Sequence, residues 1–146
     1  MISVDAIKSH FAANDINYLQ SPDETHFVVN WSLGRYDVRT EIRILEDNRF
    51  LYLKTADMPR VEREHPAYYA MLERLNELTF KYRAFKATLD PSDGEIRVSF
   101  ESWHIDGVLS DETFEQHYRG FLHFLEMALE VLDETLLQKE PTRVAC

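Results

Sequence analysis

A chain of 146 residues with 45% apolar and 12% aromatic residues has the material for one buried core, and a chain of this size hides roughly 70% of its unfolded surface on folding. Its 26 acidic against 16 basic residues leave a net charge of −10, which opposes a phosphate backbone or an anionic membrane as partner and favours solubility. No apolar run approaches the roughly 20 residues that span a bilayer, and a local basic patch could still exist, for example around Arg60, Arg63 and Arg74.

The elements follow in chain order. Val4, Ile7 and Phe11 recur at helical spacing after Ser3, a capping residue, and Asn14-Asp15 ends that helix. Ser21-Pro22-Asp23 turns the chain. Phe27, Val29, Trp31 and Leu33 then alternate with smaller or polar residues. Gly34-Arg35 suits a type II′ hairpin turn, and the return strand alternates Tyr36, Val38, Thr40, Ile42 and Ile44 against Asp37, Arg39, Glu41 and Arg43. This period of two predicts an antiparallel sheet covered on one face and wet on the other, with cross-strand ion pairs on the wet side. Glu46-Asp47-Asn48-Arg49 turns into a third strand, Phe50-Leu51-Tyr52-Leu53.

After Pro59, Pro66 suits a first helical turn, and Tyr68, Met71, Leu72, Leu75, Leu78 and Tyr82 form a helical stripe, with Tyr69 off it. A second hairpin runs from Phe85, Ala87 and Leu89 through the turn Pro91-Ser92-Asp93-Gly94 to Ile96, Val98 and Phe100. Trp103 and Ile105 fall on the opposite parity, which predicts a bulge or a strand end. Ser110 caps the last helix, Asp111 and Glu112 sit at its positive end, and Phe114, Tyr118, Phe121, Leu125, Leu129, Leu132 and Leu136 mark its apolar face up to Lys139 and the stop at Pro141. At ~1.5 Å per residue such a helix is about 45 Å long, as long as the domain is wide. The reading is a single α+β domain over residues 1–146, a five-stranded antiparallel sheet with flanking helices in the order α-βββ-α-ββ-α.

The element order resembles the YbjN family, which shares the type III secretion chaperone-like fold. The residues that carry the resemblance are Leu75-Asn76-Glu77-Leu78 through Phe85, the hairpin Asp93-Gly94-Glu95-Ile96-Arg97-Val98, and the Ser110-started final helix. It implies a sheet flanked by helices, homodimerisation and a protein-binding or regulatory role in a bacterial protein. It supplies no catalytic residues.

Motifs for chemistry are absent. The six histidines, among them His117 and His123, lack the spacing of three or four that places two metal ligands on one helical face. There is no GxSxG elbow, and the single cysteine, Cys146, is terminal, so no internal disulfide forms. Glu130, Asp133 and Glu134 read as a solvated helix face. Residues Met1 to Asp5 lack the basic-then-apolar pattern of a signal peptide, and the cysteine usage suits a reducing cytoplasm. No catalytic, cofactor-binding or metal residues are expected. The candidate protein-interface residues are Tyr69, Trp103 and His104, while Trp31 is in phase with the core.

The leading reading is a non-enzymatic, dimeric chaperone-like or regulatory adaptor, pairing through its middle helix or a sheet edge and binding another protein, not nucleic acid or membrane. Two others stand beside it. One is a small-ligand sensor or unrecognised enzyme with a deep pocket near Trp103 and His104. The other is an immunity or inhibitor protein whose acidic face covers a basic enzyme.

Overall fold

The computed structural model describes residues 2–139, with no side-chain description at 138 and 139. The expected roles of the Lys139 side chain, Pro141 and Cys146 lie outside the described residues. The elements are α1 (Asp5–Ala13), β1 (Leu19–Gln20), β2 (His26–Leu33), β3 (Tyr36–Leu45), β4 (Phe50–Ala56), α2 (Tyr68–Lys81), β5 (Phe85–Leu89), β6 (Ile96–Trp103) and α3 (Asp111–Lys139). The strands form one antiparallel sheet ordered β1-β2-β3-β4-β6-β5.

The sheet therefore has six strands, not the five expected, and the element order gains a strand before the first hairpin. The extra strand, β1, is two residues long, too short to show any periodicity. A tight turn builds it: the Asp23 carboxylate accepts the hydroxyls of Ser21 and Thr25 and the Thr25 N–H. That turn brings the Ser21 N–H to the His26 carbonyl at 2.8 Å and pairs Leu19 with Val28.

Local chemistry otherwise explains where elements begin and end. Ser110 caps α3 as expected, its hydroxyl accepting the Thr113 N–H at 3.1 Å. Ser3 accepts the Asp5 N–H but stands one residue ahead of the cap position, which Val4 occupies. Pro66 lies in the turn before α2, whose cap is Ala67. Gly34 has φ +61 while Arg35 stays on the negative side, the combination a type II′ turn uses. The parity change at Trp103 is no bulge but comes at the strand end, the other alternative, since β6 finishes at Trp103. The β4–β6 register runs unbroken from Lys54↔Ser99 to Phe50↔Trp103, so Trp103 lies on the other face of a regular strand.

All three helices cover one face of the sheet. Phe27, Ile42, Leu51, Leu53 and Val98 meet Ile7, Phe11, Met71, Leu75, Phe114, Phe121 and Phe124 in one cluster. Each such side chain contributes about 1.5–3 kcal/mol by leaving water. One polar thread crosses this core. The Trp31 Nε1–H donates to the Tyr118 hydroxyl at 3.0 Å, and Thr40 Oγ1 donates to the Val29 carbonyl at 3.0 Å. The only proton of the Thr40 hydroxyl is thereby used, so the 3.1 Å contact between Tyr118 and Thr40 has Tyr118 as donor. The relay Trp31 → Tyr118 → Thr40 → Val29 leaves no member unsatisfied.

Away from that relay, the segment after β4 is stitched to the β5–β6 turn. Val61 N–H donates to the Gly94 carbonyl and Ile96 N–H to the Pro59 carbonyl, both at 2.9 Å. Gly94 has φ +76, and a Cβ there would lie 2.1 Å from the Val61 carbonyl oxygen.

Tyr118→Phe is expected to cost about 1–2 kcal/mol by leaving the Trp31 N–H without its partner, seen as a lower urea midpoint at unchanged slope. Gly94→Ala is expected to cost more than about 2 kcal/mol through clash and strain. Equal midpoints for Gly94→Ala and wild type would refute the close approach.

Candidate functional site

The uncovered face of the sheet is an ion-pair lattice. Glu41 on β3 stands 3.1 Å from Lys54 and 3.5 Å from both Arg43 and His26. Its burial opposes ionisation, but the hydrogen bond and charge of Lys54, with Arg43 and His26, prevail and hold the carboxyl below its usual range. Arg39 pairs with Asp57 at 3.4 Å, Lys86 with Glu101 at 3.5 Å and Arg97 with Asp90 at 2.8 Å. A groove of about 430 Å³ between β4 and β5 is lined by these same groups, Lys54, Lys86, Arg97 and Glu101 among them. Every basic side chain on this face has a carboxylate within 4 Å.

The basic patch considered around Arg60, Arg63 and Arg74 does not assemble. Arg60 is paired with Asp93 and Glu95, and Arg74 is bound at 2.6 Å to Glu134 and at 3.1 Å to Thr135 of α3. Among the described residues no group of three His, Cys, Asp or Glu could hold a metal ion. Among them also, no helix is long and apolar enough to cross a membrane.

The structure places Trp103 and His104 at one corner of the sheet, pointing different ways. Trp103 completes a row across three strands, Leu45–Phe50–Trp103, with the Phe50 and Trp103 rings 4.8 Å apart. His104 turns into the loop that follows. Its Nδ1 lies 2.9 Å from the Val108 carbonyl, which can only accept, so Nδ1 carries the proton, and Nε2 takes the Ser102 hydroxyl at 3.1 Å. The backbone N–H of His104 donates to the Arg49 carbonyl at 2.7 Å. His104 is thus the pin of the loop and not its reading edge. Tyr69 is exposed on α2, in the helical layer, with its ring set edge-on against Tyr68, and is not brought to the corner.

Sequence reasoning missed most of the exposed apolar surface. Trp103 is 61% exposed, Ile105 78% and Val108 63%, and these line a shallow groove of about 560 Å³ with Ser110 and Thr113. Among the described residues, the space beside Trp103 and His104 is this open groove and not the deep pocket expected there. The signal available was Ile105 and Val108 flanking Asp106-Gly107 outside any periodic element. The helix face read as solvated is also partly engaged. Asp133 accepts the Tyr36 hydroxyl at 2.5 Å and Arg35 at 2.6 Å, which hold its carboxyl below the usual range.

Two imidazoles set a pH dependence. Burial pushes His10 down from the ordinary histidine value, opposed by Glu115 and aided by Arg119. Burial, reinforced by His104, does the same to His117, whose ring lies 4.6 Å from Phe100. Near pH ~6.5 the unfolded chain therefore binds more protons than the folded one, so stability is full above that pH and is lost as pH falls through it towards the lowered folded values. The carboxyls of Asp23, Glu41, Asp90 and Asp133 are shifted down and add their loss only at lower pH. The denaturation midpoint is expected to fall between about pH 7.5 and 5.5, and less steeply in His117→Asn. Parallel pH profiles for variant and wild type would contradict this.

No family model matches the sequence, and no curated protein matches it. Among solved structures the chain is similar to YbjN from E. coli, a proposed transcription regulator, with a TM-score of 0.66 and 14% identity over 93% of each chain. At that identity the likeness is one of backbone course alone. The chain has the YbjN-like fold.

Proposed function

We propose that this chain is a cytoplasmic, non-enzymatic regulatory module that acts by binding another polypeptide. One observation carries the reading: an apolar corner of exposed Leu45, Trp103, Ile105 and Val108 around a half-buried Phe50, beside a sheet face whose cations each have a carboxylate within 4 Å. Soluble domains expose large apolar patches where they meet partners, and aromatic residues are enriched in such contacts. The polar grooves support the same reading from the other side. They are open, and in the groove between β4 and β5 the titratable groups pair with one another in place of converging on a reacting atom. A phosphate backbone would find no stripe of uncompensated cations on the open face. The fold shared with a proposed transcription regulator fits a regulatory role.

A second copy of the chain is one such polypeptide. At the β5 edge the Thr79 hydroxyl already engages the Ala87 N–H at 2.9 Å and the Ala87 carbonyl at 3.2 Å. A dimer built through a sheet edge would therefore use β2 beyond Val28, where β1 has ended.

The test sets partner binding against ligand binding. A protein purified with this chain from its native cell is expected to reconstitute a stoichiometric complex from pure components by calorimetry, with light scattering reporting any homodimer. Saturable thermal stabilisation by a metabolite or metal, with no protein reconstituting, would overturn the reading.

A further inference from the structure

We infer that the apolar corner docks a basic polypeptide segment which anchors through apolar side chains and sets its cations on an acidic rim. This rests on the protein-binding reading above and names the surface and the chemistry of its partner.

The charge around the corner differs from that of the sheet face beside it. Asp106 lines the corner groove, Glu46 and Asp47 lie on the β3–β4 turn to which its loop is tied, and Asp111 and Glu112 follow Ser110 on the first turn of α3, where Asp111 also lines the neighbouring groove beside His10; all five are exposed. None of these five carboxylates has an ion-pair partner among the described residues, and Arg49 shares a turn with Glu46 and Asp47. The open face keeps its charges paired within the chain, and the corner leaves its negative charge uncompensated around exposed apolar side chains. An interface of apolar centre and charged rim selects a partner of opposite sign. A second copy apposed corner to corner would bring two acidic rims together, and an anionic membrane or a nucleic acid would be repelled in the same way.

The corner is also held in shape before any partner arrives. The His104 ring donates to the Val108 carbonyl, the Gly107 N–H to the His104 carbonyl at 2.8 Å, and the Val108 N–H to Asp106 at 3.1 Å. The His104 N–H ties this loop to the β3–β4 turn. Ile105 and Val108 are therefore presented on a pinned loop, which lowers the ordering cost of binding.

The probe is a labelled peptide about four helical turns long, with Leu and Phe along one face and Lys and Arg on the other. Its control is the same composition scrambled to destroy the apolar face. Fluorescence anisotropy is expected to show binding that weakens with salt and favours the patterned peptide, with a blue shift of the exposed Trp103 emission. The double variant Ile105→Asp/Val108→Asp is expected to weaken binding by about tenfold or more. Simple attraction to an acidic protein would instead tighten, because the variant adds two negative charges. A second variant, Glu46→Gln/Asp47→Asn/Asp111→Asn, is expected to weaken binding and flatten its salt dependence. Both alter exposed positions, and unchanged melting curves verify their folds.

Equal binding of the scrambled peptide, undiminished binding by the double variant, or none up to about 1 mM would overturn the inference. So would a dimer in light scattering that the double variant dissolves, since that would assign the corner to a second copy. If the native partner still binds the double variant with full affinity, the corner is wrong while the protein-binding reading stands.

Discussion

The depth at which α3 sits against the sheet is fixed by one buried relay. An apolar interface is close-packed but non-directional, so more than one side-chain arrangement can fill it, and that leaves a helix some freedom of placement. Trp31, Tyr118, Thr40 and the Val29 carbonyl remove that freedom, since each polar group is satisfied only when the Tyr118 hydroxyl lies between β2 and β3. With Tyr118 anchored, Phe114 and Phe121 fall one turn to either side of it in the same core. Arg74 of α2 then reaches Thr135 and Glu134, and Arg35 and Tyr36 reach Asp133.

Packing all three helices on one face leaves the other to water, and the sheet solves that exposure in two ways. Over most of its area it alternates charges so that cross-strand neighbours neutralise one another, as with Glu41 opposite Lys54. Such pairs contribute little to stability at a surface. Their consequence here is that each cation of the face has a carboxylate beside it. At the corner the alternation stops. Leu45, Phe50 and Trp103 share one row, and the loop beyond adds Ile105 and Val108. One face is therefore ion-paired over most of its area and apolar at one corner.

Much of this fold is legible along the chain. The alternation from Tyr36 to Ile44 is visible because one side of β3 is buried and the other wet. The Ser110 cap and the apolar face of α3 are visible because capping and helical period are properties of neighbouring residues. The strand β1 is not, because two residues carry no period and their pairing follows from the Asp23 turn. The parity change at Trp103 is legible as a fact but not as an orientation, since a bulge and a face change look alike in sequence.

The residues alone therefore determined the elements, their order apart from β1, the one-sided sheet and the want of any spacing suited to metal or nucleophile chemistry. All of these depend on neighbours a few positions apart. Tertiary structure alone decided which charges are spent and which are free. Thr40 and Tyr118 are 78 positions apart, and Arg35 and Asp133 are 98. Whether Glu41 or Asp106 finds a cation depends on strand register and on where a loop is pinned. Those are distances in space, and composition and period do not contain them.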